Sequence, residues 1–235
     1  MTLSVIPVHG IGEVEPGVEI ADLVADAAAA QSTALADGDC LVVTQKIVSK
    51  AEGRLVPLDP GDLAARRRLI ETQATRVLRR RGDLLITETP HGWVCANAGV
   101  DVSNVPEGQA ALLPVDADRS ARHLRDALRA RHGVDVSVIV SDTFGRAWRL
   151  GLTDVAIGVA GLAAVVDLRG ERDAGGRELQ VTEVAIADEI AGAAELVMRK
   201  AAGVPAAIVR GLDPAWRRDG SARELVRAPG EDLFR

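Results

Sequence analysis

Aromatic side chains are nearly missing from this chain: three tryptophans, two phenylalanines and no tyrosine in 235 residues. The core must therefore be built from Ala, Val, Leu and Ile. Base stacking on Tyr and Phe is unavailable, which argues against sequence-tolerant binding of single strands. Cysteine is equally sparse. Cys40 and Cys95 stand far apart, fit no metal or redox spacing, and sit among apolar residues, so buried free thiols are expected. No apolar run approaches the ~20 residues of a membrane span, and the start has no basic segment of the secretory kind. A cytoplasmic enzyme is expected. Several motifs are absent too. There is no GxxxxGK[ST], no GxGxxG after a strand, no HExxH and no GxSxG. His9, His91, His123 and His132 form no cluster along the chain. A bound nucleotide would need a route other than a P-loop.

Lysine is the third scarcity. Of 28 basic residues, 25 are arginine, leaving Lys46, Lys50 and Lys200. A lysine in such a chain reads either as a compact ammonium where one is needed or as chance on a solvated face. The net charge of −6 does not draw nucleic acid or anionic membrane to the surface as a whole. An anionic substrate would need a local basic site or a bound cation. Hydrophobic residues at 47% and charged residues at 26% are ordinary for a globular protein.

Periodicity predicts strands over 4–8, 40–44, 136–140, 155–159, 163–166 and 206–209. It predicts helices over 18–35, 62–80, 119–132 and 182–200, with Thr182 as the N-cap of the last. A hairpin is expected from 83–87 and 93–96 around Pro90-His91-Gly92. The tail from Asp213 reads as surface. Strands and helices alternate irregularly, which favours α+β over a clean doubly wound sheet.

Five stretches could carry chemistry. In the first, an apolar strand runs into Ser141-Asp142-Thr143, and a carboxylate beside a hydroxyl offers oxygen ligands to a hard cation such as Mg2+ or Mn2+. Asp142 reads alternatively as a cap on a following turn or helix. The second, Asp101-Val102-Ser103-Asn104, is either a ligand-bearing loop or an Asx-turn. In the third, Gln45 to Lys50 presents two ammonium groups after a buried strand, for phosphate or for solvent. The fourth, His9 to Glu13, has two glycines that let backbone N–H groups approach an anion, or make a plain turn. In the fifth, Arg146 and Arg149 could hold a phosphate or carboxylate, while Trp148 leans toward a core role.

Taken in order, these stretches resemble the coenzyme F420-0:L-glutamate ligase family. The blocks are IPVHGIGEVEPG at 6–17, DGDCLVVTQKIVSKAEGR at 37–54, LIETQATRVLRR at 69–80, CANAGVDVSNVPEG at 95–108, LLPVDAD at 112–118, VIVSDTFGRAWRLGLTDVAIGVAG at 138–161, ELQVTEVAIADEIAGAAELV at 178–197 and IVRGL at 208–212. They span essentially the whole chain. The resemblance is to the ligase domain of the actinobacterial bifunctional enzyme. It implies one domain over 1–235, without the nitroreductase-like domain often fused there. An α+β fold with mixed sheets and packed helices is implied, in an intertwined homodimer.

The implied reaction joins L-glutamate to coenzyme F420-0 or its dehydro form, with GTP as co-substrate and divalent ions, two per site, as Mg2+ or Mn2+; K+ is a further candidate. Carried over by motif, the metal ligands would be Asp101, Asp142 and Thr143. The nucleotide would meet Ile11, Gly12, Glu13, Val14, Gln45, Lys50 and Asn104. Lys50, Asp142 and Arg146 would act in catalysis. This sequence departs from relatives at Gln45, where a Ser or Thr is common, at Glu13, and at Arg199-Lys200, where archaeal members carry Gly-Gln.

Overall fold

The computed structural model describes residues 2–233. Phe234 and Arg235, where the chain was read as ending short of a further domain, lie outside the described residues. In chain order the elements are β1 (Ser4–Pro7), α1 (Ile20–Ala30), β2 (Cys40–Thr44), α2 (Gln45–Ala51), β3 (Leu55–Pro57), α3 (Leu63–Gln73), β4 (Arg76–Arg81), β5 (Leu84–Glu88), β6 (Val94–Ala96), β7 (Gln109–Ala111), α4 (Ala117–His132), β8 (Ser137–Gly145), β9 (Leu152–Ala160), β10 (Val166–Asp167), β11 (Glu183–Val184), α5 (Ile186–Met198) and β12 (Ala206–Arg210).

The main sheet has the order β1-β12-β2-β8-β9. Only β2 and β8 run parallel; the other pairs are antiparallel. Its central strands read as unbroken apolar runs because both faces are buried. Leu41, Val43, Val138, Val140, Ala206 and Ile208 face one core with α1, α2 and α4. Cys40, Val42, Ile139, Ala207 and Val209 face the other, under α5. A third, smaller core holds Leu58, Ile70, Leu85, Ala98, Val100, Ala110 and Leu112 between α3, the β4-β5-β6 sheet and the β3-β7 ribbon. The architecture is mixed α+β, with several sheets. Cys40 and Cys95 are buried and unpaired, as expected.

Several expectations need correction. The basic helix expected over 62–80 stops at Gln73, and Arg76–Arg81 is strand β4. Arginine is a good helix former, so the pattern looked continuous. Ala74 turns extended instead, the Thr75 N–H donates to the Glu88 carbonyl, and β4 pairs with β5. A partner strand distant in sequence outweighs local propensity. The helix expected over 18–35 spans Ile20–Ala30, closed by Ser32 at a φ of 63°. That expected over 182–200 spans Ile186–Met198. Thr182 is not its cap; Ala185 holds that position without a side-chain bond. The strand expected to end at 140 runs on to Gly145, so Asp142 and Thr143 lie within a paired strand. Of 163–166, only Val166 is in a strand, and Ala163 and Ala164 are buried loop. Trp148 is exposed rather than core. The tail is not wholly superficial: Ala222 is buried, and its N–H and the Ser221 hydroxyl both donate to Asp118.

Periodicity does not predict the short strands β3, β4, β7 and β11, and all but β4 are two or three residues long. Nor does it predict α2, whose seven residues look in sequence like a turn.

Candidate functional site: a cleft at the end of the main sheet

Strand direction decides where the cleft lies. β1, β2 and β8 carry their carboxyl ends, and β12 its amino end, to the same edge of the sheet. Ends of parallel strands are a usual place for ligands in such sheets. Here they open into a cleft of about 620 Å3. Its walls come from five segments distant in sequence: Ile11 to Val14 after β1, Thr44 to Lys50 around α2, Asn104 to Pro106, the end of β8 with Asp154 of β9, and Glu195 to Pro205.

Gln45, at the first turn of α2, is almost wholly buried. Its Oε1 accepts the Ser49 hydroxyl at 2.8 Å, while its Nε2 has no partner. A buried amide donor left unpaired costs free energy unless a ligand or water completes it. One helical turn apart, Lys46 and Lys50 enter the cleft from the same side of α2. The Lys50 ammonium, itself buried, pairs with the exposed Glu13 carboxylate. The Lys46 ammonium lies 2.7 Å from Asp101 Oδ2. Lys200 lines the opposite wall beside Arg199, whose φ of 53° ends α5. All three lysines of the chain thus face one cleft, while most of its arginines lie elsewhere.

The carboxylates face these cations. Burial alone would raise Asp101, but the Lys46 ammonium and the Ser103 N–H hold it below its ordinary value. The Ser103 N–H donates to Asp101 Oδ1 at 2.7 Å, so the Asx-turn expected as an alternative is present and leaves Oδ2 toward Lys46. Asp142 is pushed up to about 7, chiefly by burial, with Asp101 and Asp154 adding to it; Lys46 and the Thr143 N–H act the other way. Glu195 is raised by burial and by Asp154. A bulge between Val140 and Ser141 shifts the register just before these residues, as bulges near sites do.

Of the residues singled out in the sequence, Ile11, Gly12, Glu13, Val14, Gln45, Lys50, Asn104, Asp142 and Thr143 all line the cleft. Asp101 stands behind it, joined through Lys46. Arg146 is not among the lining residues: its guanidinium donates to the Leu150 carbonyl at 2.7 Å, within the β8-β9 turn. Sequence reading missed Asp154, Glu195 and the placement of Lys200, and it offered Lys46 to phosphate or to solvent without pairing it with Asp101. The shortage of lysine was a usable signal for both lysines; the acids had none, since 34 are scattered along the chain.

The oxygen donors suit a hard cation. Among the described residues no three His, Cys, Asp or Glu side chains form a metal cage. Two carboxylates and a hydroxyl give a partial shell, which is how Mg2+ and Mn2+ are commonly held when phosphate oxygens and water supply the rest. The residues present therefore fit a divalent ion bound together with a phosphorylated ligand.

Comparison with known proteins gives the class first. A protein of Methanopyrus kandleri is 46% identical over all of this chain and 98% of its own length. One of Methanothermobacter thermautotrophicus is 43% identical over the full length of both. One of Archaeoglobus fulgidus is 37% identical over all of this chain and 97% of its own. Each is named Coenzyme F420:L-glutamate ligase. The chain is a ligase. More particularly, it belongs to the F420-0:Gamma-glutamyl ligase family, whose sequence pattern matches residues 10–211.

Proposed function

We propose that this chain joins L-glutamate to coenzyme F420-0, or to its dehydro form, with GTP as the energy source. One observation carries the reading most. Residues scattered over 11–14, 45–50, 104 and 142–143 come together around a single cleft with every lysine in the chain.

A carboxylate does not react with an amine at neutral pH and must first be activated. In the proposed reaction a carboxylate oxygen of the acceptor attacks the γ-phosphorus of GTP, and GDP leaves. The glutamate nitrogen then attacks the acyl carbon of the mixed anhydride. Phosphate departs with the bonding pair, and the nitrogen loses a proton. Lys46, Lys50 and Lys200 offset charge on the phosphates as point cations. The unpaired Gln45 Nε2 and the backbone of 11–14 offer donors to the nucleotide. Asp142, Thr143 and Asp101 would hold divalent ions, Mg2+ or Mn2+, which when bound neutralise charge developing on the transferring phosphoryl group. No protein nucleophile is called for; positioning and electrostatics supply the rate. The substrate carboxylate and phosphodiester find cations here despite the −6 net charge.

The test is incubation with F420-0, L-glutamate, GTP and Mn2+, followed by product mass and GDP release. Mass increments of one glutamyl residue with stoichiometric GDP are expected, and their number reports whether further γ-linked glutamates are added. GDP formed without a new amide would move the reading to a different acceptor acid. Tight GTP binding with neither product would leave a binding module and sink the proposal.

A further inference from the structure

Asp154 is almost fully buried and lies directly across the β8-β9 ladder from Thr143. Its two oxygens are both committed: Oδ1 accepts the Thr143 hydroxyl at 2.7 Å and Oδ2 accepts the Ser141 hydroxyl at 2.9 Å. An ionised carboxylate only accepts. Each hydroxyl must therefore spend its one proton on Asp154. The Thr143 oxygen then has only lone pairs to offer to the cleft, and it cannot turn to donate to a ligand.

We propose that Asp154 is a positioning residue that fixes the Thr143 hydroxyl as an obligate acceptor for a divalent cation. This rests on the metal-dependent reading of the cleft given above and adds to it a buried residue of the cleft wall that acts through the Thr143 hydroxyl. Outer-shell carboxylates commonly orient ligands in this way. Ser141 holds the other oxygen of Asp154 and so prevents the carboxylate from rotating. Cross-strand register makes the arrangement possible, because Thr143 and Asp154 are paired residues and Ser141 is two positions along on the same face.

The test reads Mn2+ affinity directly, by calorimetry or by the electron paramagnetic resonance of free Mn2+, on the full chain. Asp154→Asn is close in shape and places an amide donor where a hydroxyl proton now lies. It is expected to weaken Mn2+ binding about 10- to 100-fold. Thr143→Val should weaken it comparably, and Thr143→Ser should restore it. The deciding measurement is the double variant Thr143→Val/Asp154→Asn, expected to bind no more weakly than Thr143→Val alone. If Asp154 merely clips β8 to β9, its effect persists without Thr143 and the losses multiply; that result, or wild-type affinity in Asp154→Asn, overturns the proposal. Should Asp154→Asn fail to fold, Ser141→Ala carries the same logic at smaller amplitude. It is expected to weaken Mn2+ binding about threefold with Thr143 present and not at all in the Thr143→Val background; equal effects in both backgrounds overturn the proposal. A wild-type protein that binds no Mn2+, with Asp142→Asn indistinguishable from it, overturns the metal reading as well, and so separates the two failures.

Discussion

At the scale of single residues, the cleft is a set of charges that would be unfavourable alone. Asp142 sits within reach of Asp101 and Asp154, and burial pushes it up to about 7. A raised carboxyl is disfavoured in its ionised form in the folded state. Its unfolded pKa is near 3.8. Between these values the unfolded chain has released the proton while the folded chain retains it. Stability from this group is therefore full below pH ~4 and is lost as pH rises through about 7. A metal ion bound there would reverse the sense, because it would take the carboxylate and displace the proton. We expect the metal-free protein to melt at falling temperature from pH 5 to 8, with the fall reduced in Asp142→Asn. We also expect Mn2+ affinity to rise by up to about tenfold per pH unit below pH ~7 and to level above it. Titrations at pH 6, 7 and 8 check both; a flat Mn2+ affinity would remove Asp142 from the ligands.

At the scale of elements, the site depends on close approach of α4 to the sheet. Gly158 on β9 faces the first turn of α4, and a Cβ there would stand 2.3 Å from the Ala117 carbonyl oxygen. Backbone cannot yield as a side chain tip would. Gly158→Ala is expected to cost about 2 kcal/mol through overpacking, which lowers the melting temperature by roughly 4–8 °C in a domain of this size. Differential scanning calorimetry checks it; an unchanged melting temperature would mean that α4 shifts freely. The same helix is closed by Gly133 at a φ of 69°, and its Asp118 accepts the N–H of Val159. These contacts tie β9, and with it Asp154, to a rigid neighbour. α4 was legible in sequence because its apolar stripe and glycine stop agree with its packing. β4 was not, because its arginines obey helix propensity while its backbone obeys a partner strand.

At the scale of the whole molecule, the β8-β9 turn stands out. Trp148, Leu150 and Leu152 are exposed there within five residues of one another, whereas other exposed apolar side chains such as Leu3, Leu63, Val181 and Leu196 stand apart along the chain. Apolar residues gathered on one projecting turn are the kind of surface through which chains associate. The expected partner is a second copy, giving a particle of about twice 24.7 kDa by light scattering. Leu150→Asp with Leu152→Asp should shift that particle toward the monomer. A wild-type particle at 24.7 kDa would refute the homodimer.

The sequence alone determined the strands of the main sheet, since central strands buried on both faces must be continuously apolar. It also determined most residues of the cleft, because their order along the chain matches a family whose members share it. Tertiary structure decided the rest. Only the parallel pairing of β2 with β8 and the antiparallel return of β12 bring loops from distant parts of the chain to one edge. Only the register of β9 against β8 puts Asp154 opposite Thr143. Arg146, next to the motif in sequence, is carried out along the projecting turn, while Lys200, far from it, is carried in. Charge and hydroxyl identity are properties of a residue, but which of them meet is set by pairings between strands that local sequence does not specify.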